Sequence, residues 1–349
     1  RADAGRDWVF KDETGIPSQP PYSSLPKIIT NLVWDKNLPF PLNHSWGYHD
    51  AATGNGRYDR YYNEMVKRYG QPISMKEFSD KMQLMNAVGY RGIFESAGHK
   101  LNDIGGVMLW KLNAAFPSVM WQVYDWFLMP NAGYYFMQNA CEPVHIQFNP
   151  KDLVVEYVNR TYKPVENLTA EIKILNVQST LIFSRSETIN LEGPSSLRGI
   201  SLAEQLEKNP GISFIFLRLM YNTGKFISQN VYWHSSSNDY TSLNSMAETK
   251  ISVKVTGSSK SLNEMKWNMN ISNPSDKIAF FINLRLMAED EEVTPSFWSA
   301  NYFTLAPGES MDITVGCPIE KILGEMMFLR IEGLNIPELD FSLEKSIKK

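Results

Sequence analysis

The sequence predicts a multidomain chain, in which a mixed α/β region over residues 1–141 precedes two antiparallel β-sandwiches over residues 142–240 and 246–343. Its 349 residues exceed the usual size of one domain, about 100 to 200 residues. The hydrophobic pattern changes along the chain, from short apolar runs and one helix to a two-residue alternation after Val144. The composition changes with it, since the first region holds six of the nine tryptophans.

The N-terminal region contains one clear helix signal. Ser74 followed by Glu77 is a capping box, in which the two side chains satisfy free backbone amides of the first helical turn. Apolar residues then recur at a spacing close to one helical face, at Phe78, Met82, Met85, Ala87 and Val88.

Two short apolar runs in this region predict buried parallel strands. They are Trp8–Phe10 and Val107–Trp110, the second of which follows a glycine pair. Between them, a stretch rich in proline, glycine and asparagine extends from Gly15 to Gly56, and loops of that length are usually functional or disordered. Its aromatic residues favour an ordered, functional loop.

Two series of alternating segments predict the sandwiches, each of about 100 residues with turn signals between the strands. The first series comprises residues 153–158, 172–174 and 214–219, and the second comprises residues 251–255, 265–271, 281–286, 313–315 and 327–331. Pro307-Gly308 marks a turn in the second series. The serine-rich segment Ser235–Ser245 marks the boundary between the two domains.

Composition and motifs exclude several classes of function. A net charge of −4 without a basic run argues against a protein that binds nucleic acid, and the apolar patches are only as long as strands, which argues against a membrane span. Two distant cysteines exclude a disulfide framework, and the spacing of the five histidines fits no metal motif, so we expect no metal and no cofactor. Phosphate-binding glycine loops and the serine-nucleophile motif GxSxG are absent.

A carboxylate is the remaining candidate for a catalytic group. Glu13 closely follows the first apolar run, and catalytic groups of barrel enzymes lie at the C-terminal ends of strands. From position alone, Glu13 could equally be an ordinary loop carboxylate. Trp110 and Asn113 end the second run, and an indole there offers a flat apolar surface to a sugar ring, although core packing is the alternative.

Several sequence blocks resemble the last barrel strand and the following segments of glycoside hydrolase family 2. Within that family the pattern is closest to the exo-β-D-glucosaminidases, followed by the β-mannosidase and endo-β-mannosidase branches. The blocks occur in the expected order and cover nearly the whole chain; they include residues 10–15, 46–49, 81–83, 106–113, 117–126, 132–135, 140–145, 230–233, 301–303 and 332–335.

This resemblance implies a fold and a mechanism. Residues 1–141 would be the C-terminal part of a (β/α)8 barrel, followed by two antiparallel immunoglobulin-like β-sandwiches. Glu13 would be the nucleophile of a retaining exo-β-glycosidase that acts on β-linked amino sugars in an oligosaccharide or polysaccharide. Asp12 departs from the family pattern, where Ser or Thr is more common. The acid/base carboxylate would lie in a missing N-terminal part of the same protein, so we expect this chain alone to be inactive.

Three further residues are weaker candidates for the sugar subsite. They are Trp46, His49 and Trp121. For His49 the alternative is that it satisfies hydrogen bonds of its own loop.

Alternative functions of the whole chain are those of a β-mannosidase or endo-β-mannosidase, or of a non-catalytic carbohydrate-binding or structural β-sandwich protein. Because enzymes that degrade polymers are generally exported, a secreted or periplasmic location is expected.

Overall fold

The computed structural model describes residues 9–30, 44–50, 57–322 and 326–343, and the strands within these ranges form five sheets. Trp8 and much of the long loop, including Trp34 and Phe40, lie outside the described residues. None of the helices in the described ranges is both long and apolar enough to cross a membrane.

In its described parts, the N-terminal region contains a small parallel sheet and five helices. Strands β1 (Phe10–Thr14) and β2 (Gly106–Leu109) pair in parallel, as the two apolar runs predict. The helices are α1 (Leu25–Ile28), α2 (His44–His49), α3 (Arg57–Tyr69), α4 (Met75–His99) and α5 (Ala132–Ala140).

The prediction that these two strands are buried is wrong. Phe10 is 50% exposed and Met108 55% exposed. Within the described residues no third strand pairs with either one, so side chains that suit a sheet interior remain in contact with solvent.

Helix α4 begins where the capping box predicts. The Ser74 hydroxyl accepts a hydrogen bond from the Glu77 amide at 3.1 Å, and the Glu77 carboxylate accepts one from the Ile73 amide at 2.9 Å. Phe78 and Met82, on the predicted apolar face, are fully buried. The helix extends to His99, so it also reaches the first sandwich.

The first sandwich contains a three-stranded and a four-stranded antiparallel sheet. Their orders are β3-β4-β7 and β6-β5-β8-β9. The strands are β3 (Val144–Asn149), β4 (Val154–Asn159), β5 (Val165–Asn176), β6 (Leu181–Leu191), β7 (Ser195–Ser201), β8 (Ser213–Met220) and β9 (Phe226–His234), with helix α6 (Ala203–Glu207) before β8.

Strand β4 departs from the predicted pattern of one buried and one solvated face. Val155 and Tyr157 belong to the sandwich core, as expected. Glu156 on the other face is also buried, because it accepts a hydrogen bond from His99 of α4, with 2.7 Å between Oε1 and Nδ1. A helix therefore covers the face that the alternation assigns to solvent.

The second sandwich is built from two further antiparallel sheets, with orders β10-β11-β16-β14 and β13-β12-β17-β18, and β15 pairs with β12. Strand β11 shows the predicted alternation, with Met265, Trp267, Met269 and Ile271 buried. The strands are β10 (Ser252–Lys260), β11 (Glu264–Ser272), β12 (Ala279–Ala288), β13 (Glu291–Glu292), β14 (Phe297–Trp298), β15 (Phe303–Leu305), β16 (Ser310–Pro318), β17 (Met327–Gly333) and β18 (Ile336–Ser342).

The serine-rich segment between the sandwiches is held against α3. The Tyr240 amide donates to the Arg68 carbonyl at 2.7 Å, and the rings of Tyr240 and Tyr69 stack with centroids 5.4 Å apart. The Asn244 side chain donates to the Tyr69 carbonyl at 2.8 Å. The segment is thus a fixed connection between the sandwiches and the helical region.

A buried cluster of charged groups joins α4 to the first sandwich. His145 contacts Glu142 at 2.9 Å and Glu95 of α4 at 3.3 Å. Burial by itself lowers the pKa of His145, but hydrogen bonds to Glu142 and Glu95 and the charges of both carboxylates outweigh it, so the pKa is raised. The ion pair therefore crosses the boundary between the helical region and the first sandwich.

The interaction of His145 with Glu142 and Glu95 makes the free energy of unfolding depend on pH, and the raised pKa sets the direction of that dependence. Because the folded pKa of His145 lies above its unfolded value, its contribution is complete below the unfolded pKa and is lost as pH rises through the folded pKa. We expect the difference in melting temperature between wild type and His145→Gln to shrink as the pH rises above the ordinary pKa of histidine, about 6.5. Thermal unfolding at several pH values checks this, and a constant or growing difference would contradict it.

Candidate functional site

The parallel pairing of β1 and β2 brings the two candidate site residues to one edge. Thr14 pairs with Leu109, and the Trp110 amide donates to the Thr14 carbonyl at 2.7 Å. Glu13 directly precedes Thr14 and is exposed. Trp110 directly follows Leu109 and is 50% exposed. Because both strands run in the same direction, the carboxylate and the indole lie at neighbouring C-terminal strand ends.

A β-bulge occurs between Lys11 and Thr14, the interval that contains Asp12 and Glu13. Lys11 pairs with Val107, and Thr14 pairs with Leu109. Strand β1 therefore advances by three residues over the interval in which β2 advances by two. Bulges bend a strand and redirect a side chain, and they are common next to active sites. Glu13 makes no side-chain hydrogen bond or ion pair with the rest of the described chain. Its carboxylate is therefore open to a ligand.

Gly15 permits the close approach of the two strand ends. A Cβ atom added at this position would lie 2.0 Å from the Trp110 carbonyl oxygen, far inside van der Waals contact. Any other residue would therefore separate the end of β1 from Trp110.

We expect Gly15→Ala to destabilise the chain by about 1–3 kcal/mol, because a backbone carbonyl cannot move aside as a side chain does. Gly211→Ala is the matched control, since a Cβ there has no atom within 4 Å. Thermal unfolding of the two variants checks the prediction, and equal melting temperatures would refute it.

The segment after β2 holds Asn113 and Trp121. Asn113 is exposed, and its side-chain amide donates to the Ala114 carbonyl at 3.3 Å. The Trp121 carbonyl accepts from the Lys111 amide at 2.6 Å, which places Trp121 beside the residue that follows Trp110. Its indole is half-buried and packs on the core. The nearby Asp125 is buried, and its Oδ1 accepts from the amides of Phe127 and Met129, so it stabilises a turn.

His49 and Trp46, both on α2, have different surroundings. Nδ1 of His49 lies 2.5 Å from the Pro117 carbonyl oxygen, and the His49 carbonyl accepts from the Val119 amide. These bonds tie α2 to the segment after β2, so the partners of His49 lie outside its own loop, contrary to the alternative interpretation of the sequence. Trp46 is only 2% exposed and packs edge-on against Phe78, with centroids 6.1 Å apart. Trp46 is therefore a core residue in the structure, and we do not include it in the candidate site.

Sequence reasoning missed the residues that hold the chain after Gly15. The buried Gln83 side chain of α4 donates to the Gln19 and Pro20 carbonyls and accepts from the Ala132 amide at 3.0 Å. Asn86 adds a second hydrogen bond to the Gln19 carbonyl at 2.8 Å. The available signal was two amide side chains, Gln83 and Asn86, within the apolar run from Met82 to Val88 of α4.

One set of possible metal ligands occurs within the described residues, namely His99, Asp152 and Glu156. Arg198 lies among them, 2.8 Å from Asp152 and 3.7 Å from Glu156, and His99 bonds directly to Glu156. The guanidinium already offsets part of the charge of the two carboxylates and lies where a metal ion would bind, so the donor set suits an ion-pair network better than a metal ion.

Comparison with known proteins identifies the relatives of this chain. Residues 230–336 match a family model described as the exo-beta-D-glucosaminidase Ig-fold domain. An exo-beta-D-glucosaminidase from Arthroderma benhamiae is 28% identical over 299 residues, covering 78% of this chain and 33% of that protein. A mannosylglycoprotein endo-beta-mannosidase from Lilium longiflorum is 24% identical over 372 residues, covering 88% of this chain and 38% of that protein.

A solved structure shares the fold. The exo-chitosanase CsxA of Amycolatopsis orientalis, in complex with PNP-beta-D-glucosamine, superposes with a TM-score of 0.83 at 23% identity, covering 95% of this chain and 42% of that chain. This chain spans about a third of the length of the curated relatives it matches. The prediction of a multidomain chain, rich in β-sheet and with an immunoglobulin-like domain, is confirmed. So is the resemblance seen in the sequence: the chain is similar to proteins named exo-β-D-glucosaminidase, and residues 230–336 match the model of their Ig-fold domain.

Proposed function

We propose that this chain is the C-terminal part of a retaining exo-β-glycosidase that hydrolyses β-linked amino sugars, with Glu13 as its nucleophile. The observation that carries the proposal is the exposed Glu13 carboxylate, at a bulged strand end beside the half-exposed Trp110. The names of the relatives support the substrate class.

We further propose that β1 and β2 are the last two strands of a (β/α)8 barrel. A barrel of this type needs eight parallel strands, with active-site residues at their C-terminal ends. The exposed Phe10 and Met108 support this, because neighbouring barrel elements would cover such apolar side chains. The remaining strands and the acid/base carboxylate would belong to an N-terminal part of the same protein.

The proposed mechanism uses two carboxylates about 5–5.5 Å apart. Glu13 attacks the anomeric carbon while the second carboxylic acid protonates the departing glycosidic oxygen, which leaves a covalent glycosyl-enzyme. That second group, now ionised, removes a proton from water, which attacks the anomeric carbon and releases Glu13. Both displacements invert the configuration at the anomeric carbon, so the product retains the configuration of the substrate.

Trp110 and Asn113 would bind the sugar. An indole packs against the C–H face of a pyranose ring, and its N–H can donate to a hydroxyl group. The exposed Asn113 amide can donate and accept hydrogen bonds with ring hydroxyls. Trp121 lies beside Lys111 and would border the same subsite.

Hydrolysis of aryl glycosides tests the proposal. The full-length protein should release phenol from an aryl β-D-glucosaminide, and this chain alone should not, because it would lack the acid/base group. Hydrolysis by the purified chain would contradict the proposed division of the active site. Failure of the full-length protein on every aryl β-glycoside would favour the non-catalytic carbohydrate-binding alternative.

A β-mannosidase or endo-β-mannosidase is the second candidate, because the relative from Lilium longiflorum carries that name and covers most of this chain. The same assay with an aryl β-D-mannoside separates the two. A preference for the mannoside would favour the second candidate.

A further inference from the structure

A cleft of about 270 Å³ lies where α5 meets both sandwiches. Its walls come from α5, from β8 and β9 of the first sandwich, and from residues 299–312 of the second. None of the candidate catalytic or sugar-binding residues lines it. Its volume is near the lower end of small-molecule sites, about 300–1,000 Å³.

An ion pair fixes the two sandwiches on either side of this cleft. Arg218 of β8 lies 2.6 Å from Glu309, which precedes β16, and neither side chain is more than 20% exposed. A partly buried pair of this length is screened less than a surface pair. Arg91, also in the wall, donates to the Val231 carbonyl at 2.7 Å and lies 3.9 Å from the Tyr232 ring centroid. The cleft is therefore formed before any ligand binds.

Open polar groups line the cleft beside aromatic rings. The side-chain amides of Asn139 and Gln229 are half-buried, and neither has a hydrogen-bond partner among the residues that the structure describes. Each amide offers two donors and one acceptor oxygen. Phe136 and Phe303 are half-buried and add apolar surface. Amides next to aromatic rings suit a sugar, which has hydroxyl edges and apolar C–H faces.

The charges favour a sugar with a free amino group. Three carboxylates, from Glu142, Glu309 and Asp312, line the cleft with two guanidinium groups. Arg218 neutralises Glu309, and His145, which lies behind the lining, pairs with Glu142 at 2.9 Å. Asp312 is then the lining carboxylate that has no cationic partner among the described residues, and its charge would attract an ammonium group and repel an anion.

We propose that this cleft is a second saccharide site, separate from the Glu13 edge, which takes one or two residues of an amino-sugar oligosaccharide. The site would hold substrate without cleaving it. The inference does not depend on Glu13 being a nucleophile, because it rests on the open amides, the aromatic surface and the charge of the cleft itself.

Equilibrium binding of the β-linked glucosamine disaccharide to this 349-residue chain tests the proposal. Ala300 lines the cleft, and Ala300→Trp would fill it. We expect this variant to lose measurable binding and Gln229→Ala to weaken binding by about tenfold, the effect of one lost hydrogen bond to a ligand. Gln178→Ala, at an exposed amide outside the cleft, should bind as wild type does.

Each contrary outcome has a definite meaning. If Ala300→Trp does not fold by circular dichroism, Gln229→Ala and Asn139→Ala decide the matter. Unchanged affinity in both variants, or no saturable binding by wild type, would overturn the proposal. Equal affinity for the N-acetylated disaccharide would overturn the assignment to amino sugars. Turnover by the full-length protein is measured separately, so either proposal can fail without the other.

Discussion

Glu13→Gln in the full-length protein should reduce turnover of an aryl β-D-glucosaminide by about 10⁴-fold or more, the scale seen when a covalent nucleophile is removed. The amide is nearly the same size as the carboxylate but cannot form the glycosyl-enzyme. Stability should be unaffected, because Glu13 is exposed and has no side-chain partner in the described part of the chain. Steady-state kinetics with a melting curve for each protein makes the measurement.

Asp12→Asn is the matched control for this variant. Asp12 is the neighbouring exposed carboxylate of the same strand, so the substitution removes the same charge one residue away. We expect it to keep most of the turnover. Glu13→Ala supplies a second readout, because added azide should take the place of the carboxylate and form a glycosyl azide of inverted configuration. Equal losses in Asp12→Asn and Glu13→Gln would mean that local charge matters and that Glu13 is not the nucleophile.

The sequence correctly predicted those helices and strands that are encoded by patterns of neighbouring residues. The capping box located the start of α4, and the alternation from Met265 to Ile271 located β11 and its buried face. The apolar runs also predicted that β1 and β2 pair in parallel. In each case the information lies within a few consecutive residues, so no knowledge of distant packing was needed.

Predictions failed where a distant element decides the environment. Trp46 and Trp110 are both indoles near apolar residues, yet one packs on Phe78 in the core and the other is half-exposed at a strand end. Glu156 sits at a position that the alternation assigns to solvent, but α4 covers it. The bulge between Lys11 and Thr14 cannot be recognised in the sequence, because it exists only in the register between two strands about 90 residues apart.

Gln83→Leu should lower the free energy of unfolding by about 2–4 kcal/mol, because at least two buried backbone groups would lose a partner that leucine cannot replace. The affected groups are the Ala132 amide at the start of α5 and the Gln19 and Pro20 carbonyls. Asn86 still bonds to Gln19, and Ser79 lies 3.4 Å from the Pro20 carbonyl, so the loss is partial. Leucine is close to glutamine in size, so the cost should come from lost hydrogen bonds and not from a cavity.

Gln178→Leu is the control, since Gln178 is exposed and surface substitutions usually change stability by no more than about 0.5 kcal/mol. Thermal unfolding gives the global effect, and hydrogen exchange resolves where it acts. Exchange in Gln83→Leu should accelerate at the amides of Ser18 and Gln19 and at the start of α5, while the second sandwich keeps its protection. Equal melting temperatures for the two variants would refute the prediction.

Because Gln19 is only four residues beyond Gly15, loosening this segment should also displace the end of β1. The full-length Gln83→Leu protein should then lose turnover at temperatures where it is still folded.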